Sequence, residues 1–309
     1  MALALAREFG GTVINADSMQ LYRELRVLTA RPTPAEEAAV PHRLYGVRPA
    51  AEAASAAWWR MAALAEMAAA RAAGRLPILC GGTGLYFLAL TEGLSSIPPV
   101  PAAARAAARA LLAEIGAAAL HARLAAIDPE TAAALRPTDS QRIARAWEVA
   151  TGTGQGLLAW QRAGRGVAGP APWRFGAILL DPPRAALRAA IAARFDAMQA
   201  AGALEEVRAL VSQGLDPALP AMRAHGVPEL AAVLAGRLEM PAARERAILN
   251  TGQYTKRQAT WFRHHALAPP ERTHIIHARM EDIAQFSSEK WQRIISFVQG
   301  GIDAPQQTA

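Results

Sequence analysis

TVINADSMQLY, residues 12–22, is the stretch that decides the fold prediction for this chain. It opens with three β-branched residues after a glycine pair, a pattern typical of a buried strand. Asp17 and Ser18 end the run and predict a short helix from Met19 to Leu25. Ligands of open parallel sheets bind at the carboxyl ends of the strands, which makes Asp17 a candidate for a chemical role. The alternative is that Asp17 or Ser18 only N-caps that helix.

Composition predicts a globular protein with a polyanionic partner. The 309 residues suffice for one large domain or two modest ones. Lysine and arginine number 33 against 26 acidic residues, with a net charge of +7, which favours nucleic acid unless it only reflects a biased composition. Cys80 is the single cysteine, which excludes an internal disulfide and fits a reducing compartment. Without a visible signal peptide or an uninterrupted apolar run of about 18 residues, we expect a cytoplasmic protein that does not enter the membrane.

The beginning of the sequence predicts that further elements precede it. Residues 1–9 have a helical pattern that ends at a glycine pair, but neither an N-cap residue nor a strand comes before them. In α/β units such a helix follows a strand and a glycine loop that binds phosphate. We therefore expect a first strand and a phosphate loop upstream of Met1.

Two prolines predict a loop at 30–34, and Ser55 is a candidate N-cap of a long helix that ends at Gly74. A second unit of strand, glycine turn and helix follows this long helix. Leu76 to Cys80 predicts a strand, GGTG occupies residues 81–84, and Leu85 to Leu90 predicts a helix. The glycines would let a ligand approach the backbone, and the Thr83 hydroxyl adds a donor for an anion. A tight turn without a ligand explains GGTG equally well, so the motif gains weight only beside Asp17.

The middle of the chain predicts helices alone. From residue 102 to about 169 the apolar positions recur at helical spacing, which indicates a packed helical insertion rather than disorder. We expect its helices at 102–115, 117–127, 129–135 and 140–151. The strand pattern resumes at 175–180, and a long amphipathic helix at 184–213, interrupted near Gly202, follows it. We therefore predict an α/β fold, a parallel sheet flanked by helices, built from residues 1–99 and 173–309, with an all-helical insertion at 100–172.

Basic residues in two helices and one loop are the candidates for binding an anionic partner. Arg142 and Arg145 are three residues apart and share a helix face. Arg223 lies in a loop before a helix, where it could bind phosphate. Residues 242–265 form the most basic helix, with aromatic and glutamine residues between the cations, a mixture that suits nucleic acid. The alternative for each group is a solvated surface.

Six motifs occur in an order that resembles the tRNA dimethylallyltransferase family: ADSMQLY, PHRLYGV, GGTGLYF, DSQRIARAWEV, MRAHGVPEL and QYTKRQATWFR. The resemblance spans nearly the whole chain and depends on the order of the motifs, since each is weak alone. It implies a P-loop-type parallel α/β core with a helical insertion. It also implies transfer of a dimethylallyl group from dimethylallyl pyrophosphate to the exocyclic N6 amine of the adenosine 3′ to the anticodon, giving isopentenyladenosine.

The resemblance also implies roles for individual residues. Asp17 would accept the proton of the amine, Thr83 would lie where base and prenyl donor meet, and Arg223 would stabilise the leaving pyrophosphate. Mg²⁺ is the implied cofactor, with no ligand expected in this chain. The implied contacts with the anticodon stem-loop of tRNA come from Asp17, Ser18, Met19, Gln20, Thr83, Arg105, Gln141, Arg142, Ile143, Ala144, Arg145, Lys256, Arg257, Gln258 and Arg263.

This sequence departs from the family pattern at three places. Val227 and Gly252 replace a frequent tyrosine and a frequent arginine, which we interpret as drift. In the family, a Walker-type loop, GPTxSGK, precedes the segment that corresponds to ALALA (residues 2–6 of this sequence). The sequence does not contain this loop. We expect the true start codon to lie upstream; the alternative is a tRNA-binding remnant without transfer activity. Another alternative is an enzyme that prenylates free adenine nucleotides. We expect a monomer.

Overall fold

The computed structural model describes residues 1–163, 169–280 and 285–303. The chain divides into two compact units. The first unit is formed by Met1–Thr91 together with Pro172–Ala309, and the second by Glu92–Ala171. The second unit therefore begins before residue 100, where we predicted the insertion to start.

Three parallel strands form the first sheet of the first unit. They are β1 (Thr12–Asn15), β2 (His42–Arg43) and β3 (Pro77–Cys80), in the order β2-β1-β3. All four residues of β1 are buried, as expected of a central strand in a parallel sheet. Asn15 lies opposite Cys80. Because the two strands end at the same edge, the segments after them meet there.

Four helices accompany this sheet: α1 (Ala2–Glu8), α2 (Pro34–Ala39), α3 (Ala56–Ala72) and α4 (Gly84–Thr91). The predicted helices at the N-terminus, after Ser55 and after the glycine turn are confirmed. The Ser55 hydroxyl caps α3 by accepting the N–H of Trp58 at 3.1 Å. We predicted a loop at 30–34 and missed α2, although Thr33 and Glu36 form a capping box at its start.

The short helix predicted from Met19 to Leu25 is wrong, because this segment forms turns. Leu21, Tyr22 and Leu25 are all buried, and Tyr22 makes an isolated parallel bridge with Arg48. Two consecutive buried residues point in different directions on a helix, so tertiary burial overrides the local helical tendency. The segment is anchored by its apolar side chains rather than by helical hydrogen bonds.

The second unit contains four described helices: α5 (Ala102–Ile127), α6 (Pro129–Ala134), α7 (Ser140–Thr153) and α8 (Leu157–Ala163). Gly116 has φ 77° inside α5 and breaks it at the predicted position. By length and composition alone α5 could cross a membrane, which is weak evidence for one helix. Its Leu120 and Leu124 instead join the apolar core that the unit forms with Ile143 of α7.

The rest of the first unit adds a second parallel sheet, β4 (Ala177–Leu180) with β5 (Thr273–Ile276). Its helices are α9 (Arg184–Ala200), α10 (Ala203–Val211), α11 (Val227–Leu234), α12 (Met240–His264) and α13 (Ser288–Asp303). Gly202, with φ 95°, separates α9 from α10, as predicted. We predicted β4 but neither β5 nor α13.

The largest core of the first unit joins the turns after β1 to the helices α9 to α12. Its fully buried members include Leu25, Val207, Leu210, Leu230 and Ala247. Burying each large aliphatic side chain contributes about 1.5–3 kcal/mol. The loop that begins at Asp17 is thus fixed by packing against helices that lie far from it in sequence.

Candidate active site

Asp17 lies just after β1, and the turn that it begins holds one of its carboxylate oxygens. Oδ1 of Asp17 accepts the backbone N–H of Met19 at 2.8 Å and that of Gln20 at 3.4 Å. Such a bond from an aspartate to the backbone two residues later is an Asx turn. Asp17 therefore caps a turn, and no described residue donates a hydrogen bond to Oδ2, which is left to accept a proton.

The surroundings of Asp17 make its carboxylate a stronger base than a solvated one. Protein atoms enclose it, although the side chain keeps partial access to solvent. Burial raises the pKa of Asp17 above its ordinary value, because desolvation disfavours the charged form. The N–H groups of Met19 and Gln20 and the charges of Arg194 and His225 oppose this rise. A base is most effective when its pKa approaches the working pH.

Thr83, in the glycine turn after β3, is hydrogen-bonded to the residue that follows Asp17. Its Oγ1 accepts the N–H of Ser18 at 2.9 Å and donates to Ser18 Oγ at 3.2 Å. The N–H of Thr83 donates to the carbonyl oxygen of Ala16 at 3.1 Å. The two predicted candidates, Asp17 and Thr83, are therefore brought together at one sheet edge.

The glycines of the turn are required by close packing. A Cβ on Gly81 would lie 2.1 Å from the carbonyl carbon of Ala16, so only glycine allows this approach of the two strand ends. A Cβ on Gly84 would lie 2.4 Å from the indole of Trp261 on α12. Packing thus explains these glycines without any ligand, in agreement with the tight-turn interpretation of GGTG.

Helix α12 holds the glycine turn from its other side. Gln258 Nε2 donates to the carbonyl oxygen of Gly82 at 2.8 Å. The indole of Trp261 packs on Gly84 and stacks on His265, with ring centroids 4.2 Å apart. The side chains of Gln258 and Trp261, which suggested contacts with nucleic acid, are therefore engaged within the protein.

Three residues around Asp17 were not assigned a role from the sequence. His225 and Tyr254 contact each other with ring centroids 4.8 Å apart. Burial lowers the pKa of His225 and raises the pKa of Tyr254, and the charge of Asp17 acts on both. Arg194 of α9 also interacts electrostatically with Asp17. His225 and Tyr254 lie within two of the quoted motifs, but the sequence does not show that they approach Asp17, because they belong to elements distant from it in sequence.

Arg223 ends a short 3₁₀ turn, Ala221–Arg223, before α11. Its side chain is exposed, and no described residue forms an ion pair or hydrogen bond with its guanidinium group. The structure therefore leaves it available for an anion, but it records no contact between Arg223 and Asp17 or Thr83.

The remaining residues predicted to contact tRNA differ in their surroundings. Gln20 donates its amide to the carbonyl oxygen of Thr29 at 2.9 Å. Ile143 is fully buried in the core of the second unit, so its side chain supports α7 rather than offering a contact. Arg145 pairs with Glu148, and Ala144 is half-buried. The exposed members of the set are Arg105, Gln141, Arg142, Lys256, Arg257 and Arg263.

Not every cation of the basic helix is free for a partner. Arg244 forms two hydrogen bonds with the carboxylate of Asp196, at 2.6 and 2.7 Å. The Arg257 guanidinium lies 5.9 Å from the ring centroid of Tyr254.

Within the described ranges, no group of three or more histidine, cysteine, aspartate or glutamate side chains is placed to hold a metal ion.

Comparison with known proteins places this chain in a family. The family model for IPP transferases matches residues 20–265. A tRNA dimethylallyltransferase of Gluconobacter oxydans is 59% identical over 304 residues, which cover 98% of this chain and 91% of that protein. One from Acidiphilium cryptum is 60% identical over 96% of this chain and 90% of the relative.

Solved structures agree in fold. The tRNA isopentenylpyrophosphate transferase of Bacillus halodurans has a TM-score of 0.66 at 30% identity, covering 98% of this chain and 91% of that one. A eukaryotic dimethylallyltransferase acting on tRNA has a TM-score of 0.78 at 22% identity, covering 99% of this chain and 77% of that one. The predicted α/β core with a helical domain is confirmed, and the chain belongs to the IPP transferase family.

Proposed function

We propose that this protein is a tRNA dimethylallyltransferase that modifies the N6 amine of the adenosine 3′ to the anticodon. The observation that carries the proposal is the junction of Asp17 with Thr83, in a chain 59% identical to proteins of that name. An acid with a free oxygen and a threonine hydroxyl lie together at the edge of a parallel sheet, where ligands of such sheets bind. The names of the relatives do not favour free adenine nucleotides as the acceptor.

The reaction requires a base because the lone pair of an adenine amine is delocalised into the ring. N6 forms a bond to C1 of the dimethylallyl group, the carbon that carries the pyrophosphate. The bond from C1 to the pyrophosphate oxygen breaks at the same time, and pyrophosphate leaves with the electron pair of that bond. The N6 proton passes to Oδ2 of Asp17, to which no described residue donates a hydrogen bond. General-base assistance of this kind contributes about 10²–10⁴-fold in rate.

The leaving pyrophosphate gains negative charge, which a cation stabilises. Arg223 has an exposed guanidinium group without a described protein partner, and its planar donors suit phosphate oxygens. The resemblance further implies Mg²⁺, which proteins usually bind through one or two carboxylates and the substrate phosphates. The described residues include no group of three or more histidine, cysteine, aspartate or glutamate side chains placed for a metal ion, and we assign no Mg²⁺ ligand.

Two sets of exposed residues are our proposed contacts for the anticodon stem-loop. One consists of Arg105, Gln141 and Arg142 in the second unit, and the other of Lys256, Arg257 and Arg263 on α12. Cations that contact phosphates contribute to affinity without regard to the RNA sequence. A single-stranded loop offers unstacked bases, which a protein can extrude and read.

We propose that the protein is a monomer and acts in the cytoplasm.

The test is transfer from labelled dimethylallyl pyrophosphate to an anticodon stem-loop with adenosine 3′ to the anticodon. The 309-residue chain is assayed beside a version extended upstream through the predicted phosphate loop, called the extended chain below. We expect labelled stem-loop, and no label on AMP or on a stem-loop with guanosine at that position. Label on AMP alone would favour the nucleotide-prenylating alternative. Stem-loop binding without transfer by either chain would favour an RNA-binding protein.

A further inference from the structure

Asn15 is the last residue of β1, and its side chain holds the main chain of Asp17 at two points. Asn15 is fully buried, with 0% of its surface exposed. Its Oδ1 accepts the N–H of Asp17 at 2.8 Å, and its Nδ2 donates to the carbonyl oxygen of Asp17 at 2.9 Å. One amide group thus fixes both peptide units that flank the Cα atom of Asp17.

The same amide connects Asp17 to the loop after β2. Nδ2 of Asn15 also donates to the carbonyl oxygen of Leu44 at 3.0 Å. Leu44 is buried and has φ 62°, a left-handed conformation that is unfavourable for a residue with a branched side chain. A strained residue persists only where its surroundings determine its conformation, and the bond from Asn15 is one such contact.

Asn15 is itself held in place by a buried tryptophan of α3. Trp59 Nε1 donates to the carbonyl oxygen of Asn15 at 2.8 Å. The indole ring is fully buried and stacks on Tyr86 of α4, with centroids 4.3 Å apart and planes 8° apart. The position of the Asn15 backbone is therefore set by packing between two helices and the sheet.

Only an amide side chain can make the three hydrogen bonds that join Asn15 to the N–H of Asp17, the carbonyl oxygen of Asp17 and the carbonyl oxygen of Leu44. Aspartate has the same shape but no donor, and leucine has a similar volume but neither donor nor acceptor. Asn15 is the one amide among the four buried residues of β1, and the preceding Val13 and Ile14 are apolar. Burying an amide is unfavourable unless its hydrogen bonds are made, and at Asn15 they are.

We propose that Asn15 is a positioning residue for the transfer reaction, which directs the Asp17 carboxylate toward the acceptor amine by fixing the main chain of Asp17. This inference rests on the proposed function. Since Asn15 has no exposed surface, its side chain is out of reach of both substrates. Its loss should therefore lower kcat and leave the KM values for both substrates nearly unchanged.

The experiment compares Asn15→Leu with Ile294→Ala in the chain that shows transfer. Ile294 is a buried residue of α13 in the separate cluster with Leu5 and Ile276, so its truncation lowers Tm without touching Asp17. We expect Asn15→Leu to reduce kcat by about 10–100-fold, the range lost through small misplacements of catalytic groups. Ile294→Ala should retain kcat within about twofold at a temperature well below its Tm. Trp59→Phe removes the bond to the Asn15 carbonyl oxygen and part of a buried ring, but it leaves the three bonds of the Asn15 amide in place, so its kcat should fall less than that of Asn15→Leu.

A second measurement does not depend on turnover. The titration of the Asp17 carboxyl carbon is followed by ¹³C NMR in the wild type, Asn15→Leu and Ile294→Ala. We expect the Asp17 titration to move in Asn15→Leu alone, toward that of a solvated aspartate. An unchanged kcat and an unchanged titration in Asn15→Leu, or equal losses in Ile294→Ala, would overturn the inference. If the wild type transfers no dimethylallyl group, the proposed function fails, and the titration alone decides whether Asn15 positions Asp17.

Discussion

The sheet edge at the ends of β1 and β3 and the basic face of α7 hold their polar side chains in opposite ways. At the sheet edge, Thr83 Oγ1 in the turn after β3 is bonded to Ser18 in the turn after β1, and Gln258 of α12 is bonded to the turn that holds Thr83. On α7, 75% of the Arg142 side chain is exposed. Its Nε lies 3.6 Å from Oδ2 of Asp139, which precedes Arg142 by three residues. One region is connected across elements distant in sequence, whereas the other bonds only within its own helix.

This difference corresponds to two kinds of task. A group that takes part in bond breaking must be held within about 0.5 Å of its productive position, which requires contacts from several elements. Attraction to a phosphate backbone tolerates mobile, solvated cations, since it acts through charge and counterion release. Exposed ion pairs such as that of Arg142 contribute only about 0–1 kcal/mol. We therefore expect changes at the sheet edge to alter kcat, and changes on α7 to alter Kd and its salt dependence.

Asp17→Asn should produce the largest effect. The substitution preserves the shape and the oxygen that accepts the N–H groups of Met19 and Gln20, but it removes the proton acceptor. We expect kcat to fall about 10²–10⁴-fold, with stem-loop Kd within threefold of wild type. Single-turnover transfer and binding measured on the same extended chain check this. A wild-type kcat in Asp17→Asn would exclude Asp17 as the base.

Gly81→Ala should cost stability as well as activity. The new Cβ would lie 2.1 Å from a backbone atom of Ala16, so the two strand ends must separate. We expect destabilisation of about 1–3 kcal/mol and loss of most activity. Gly252→Ala is the matched control, since nothing lies within 4 Å of a Cβ at this position of α12. Alanine there should stabilise the helix by about 0.5–1 kcal/mol. Tm values of both variants measure the contrast.

Thr83→Val should have a smaller effect confined to the sheet edge. Valine matches threonine in shape but cannot accept the Ser18 N–H or donate to Ser18 Oγ. Each lost hydrogen bond is worth about 0.5–1.5 kcal/mol, so we expect kcat to fall roughly tenfold. Thr251→Val on α12, which loses a bond to the carbonyl of its own helix, is the control. Equal kcat losses in the two variants would contradict a specific role for Thr83.

The sequence was sufficient to predict the parts of the fold that local patterns encode. The β-branched run before Asp17, the cap at Ser55 and the glycine turn each predict an element that the structure contains. The helix predicted at 19–25 fails because Leu21 and Tyr22 are both drawn into the core. The four-residue strand β5 was missed although three of its residues are β-branched, the same signal that identified β1.

The candidate site was predictable to a similar extent and for the same reason. Asp17 and Thr83 were identified because each follows a predicted strand, and parallel strands end at one edge. Asn15, Arg194 and Tyr254 were not, because their relation to Asp17 depends on buried hydrogen bonds and on charges that arise only in the folded chain. Sequence position locates the ends of strands, whereas tertiary packing selects which side chains surround them.

The raised pKa of Asp17 predicts how its removal changes stability with pH. Burial raises this pKa in the folded state, so the folded protein holds the proton at pH values where the unfolded chain has released it. Stability is then lost as the pH rises through the interval between the two pKa values. Asp17→Asn should therefore have a higher Tm than wild type at pH 7, and an equal Tm below the ordinary aspartate pKa of about 3.9. A lower Tm at pH 7 would contradict the desolvation of Asp17.

Arg142→Glu on α7 should have the smallest effect, visible in binding rather than in chemistry. Arg142 is exposed and held only by a loose pair with Asp139, so its guanidinium is free to contact a phosphate. Reversing its charge should weaken stem-loop binding about 3–10-fold at moderate salt and reduce the slope of log Kd against log salt by about 1.

The control for Arg142→Glu is Arg123→Glu, an exposed arginine of α5 in the same unit that makes the same change in net charge. Because a phosphate contact acts over a short range at physiological salt, Arg123→Glu should retain wild-type Kd and salt slope. Equal weakening by both variants would mean that the unit attracts RNA through net charge alone. A fall in kcat at saturating stem-loop in Arg142→Glu would instead show that the basic face of α7 takes part in placing the acceptor, and would end the contrast drawn between the two regions.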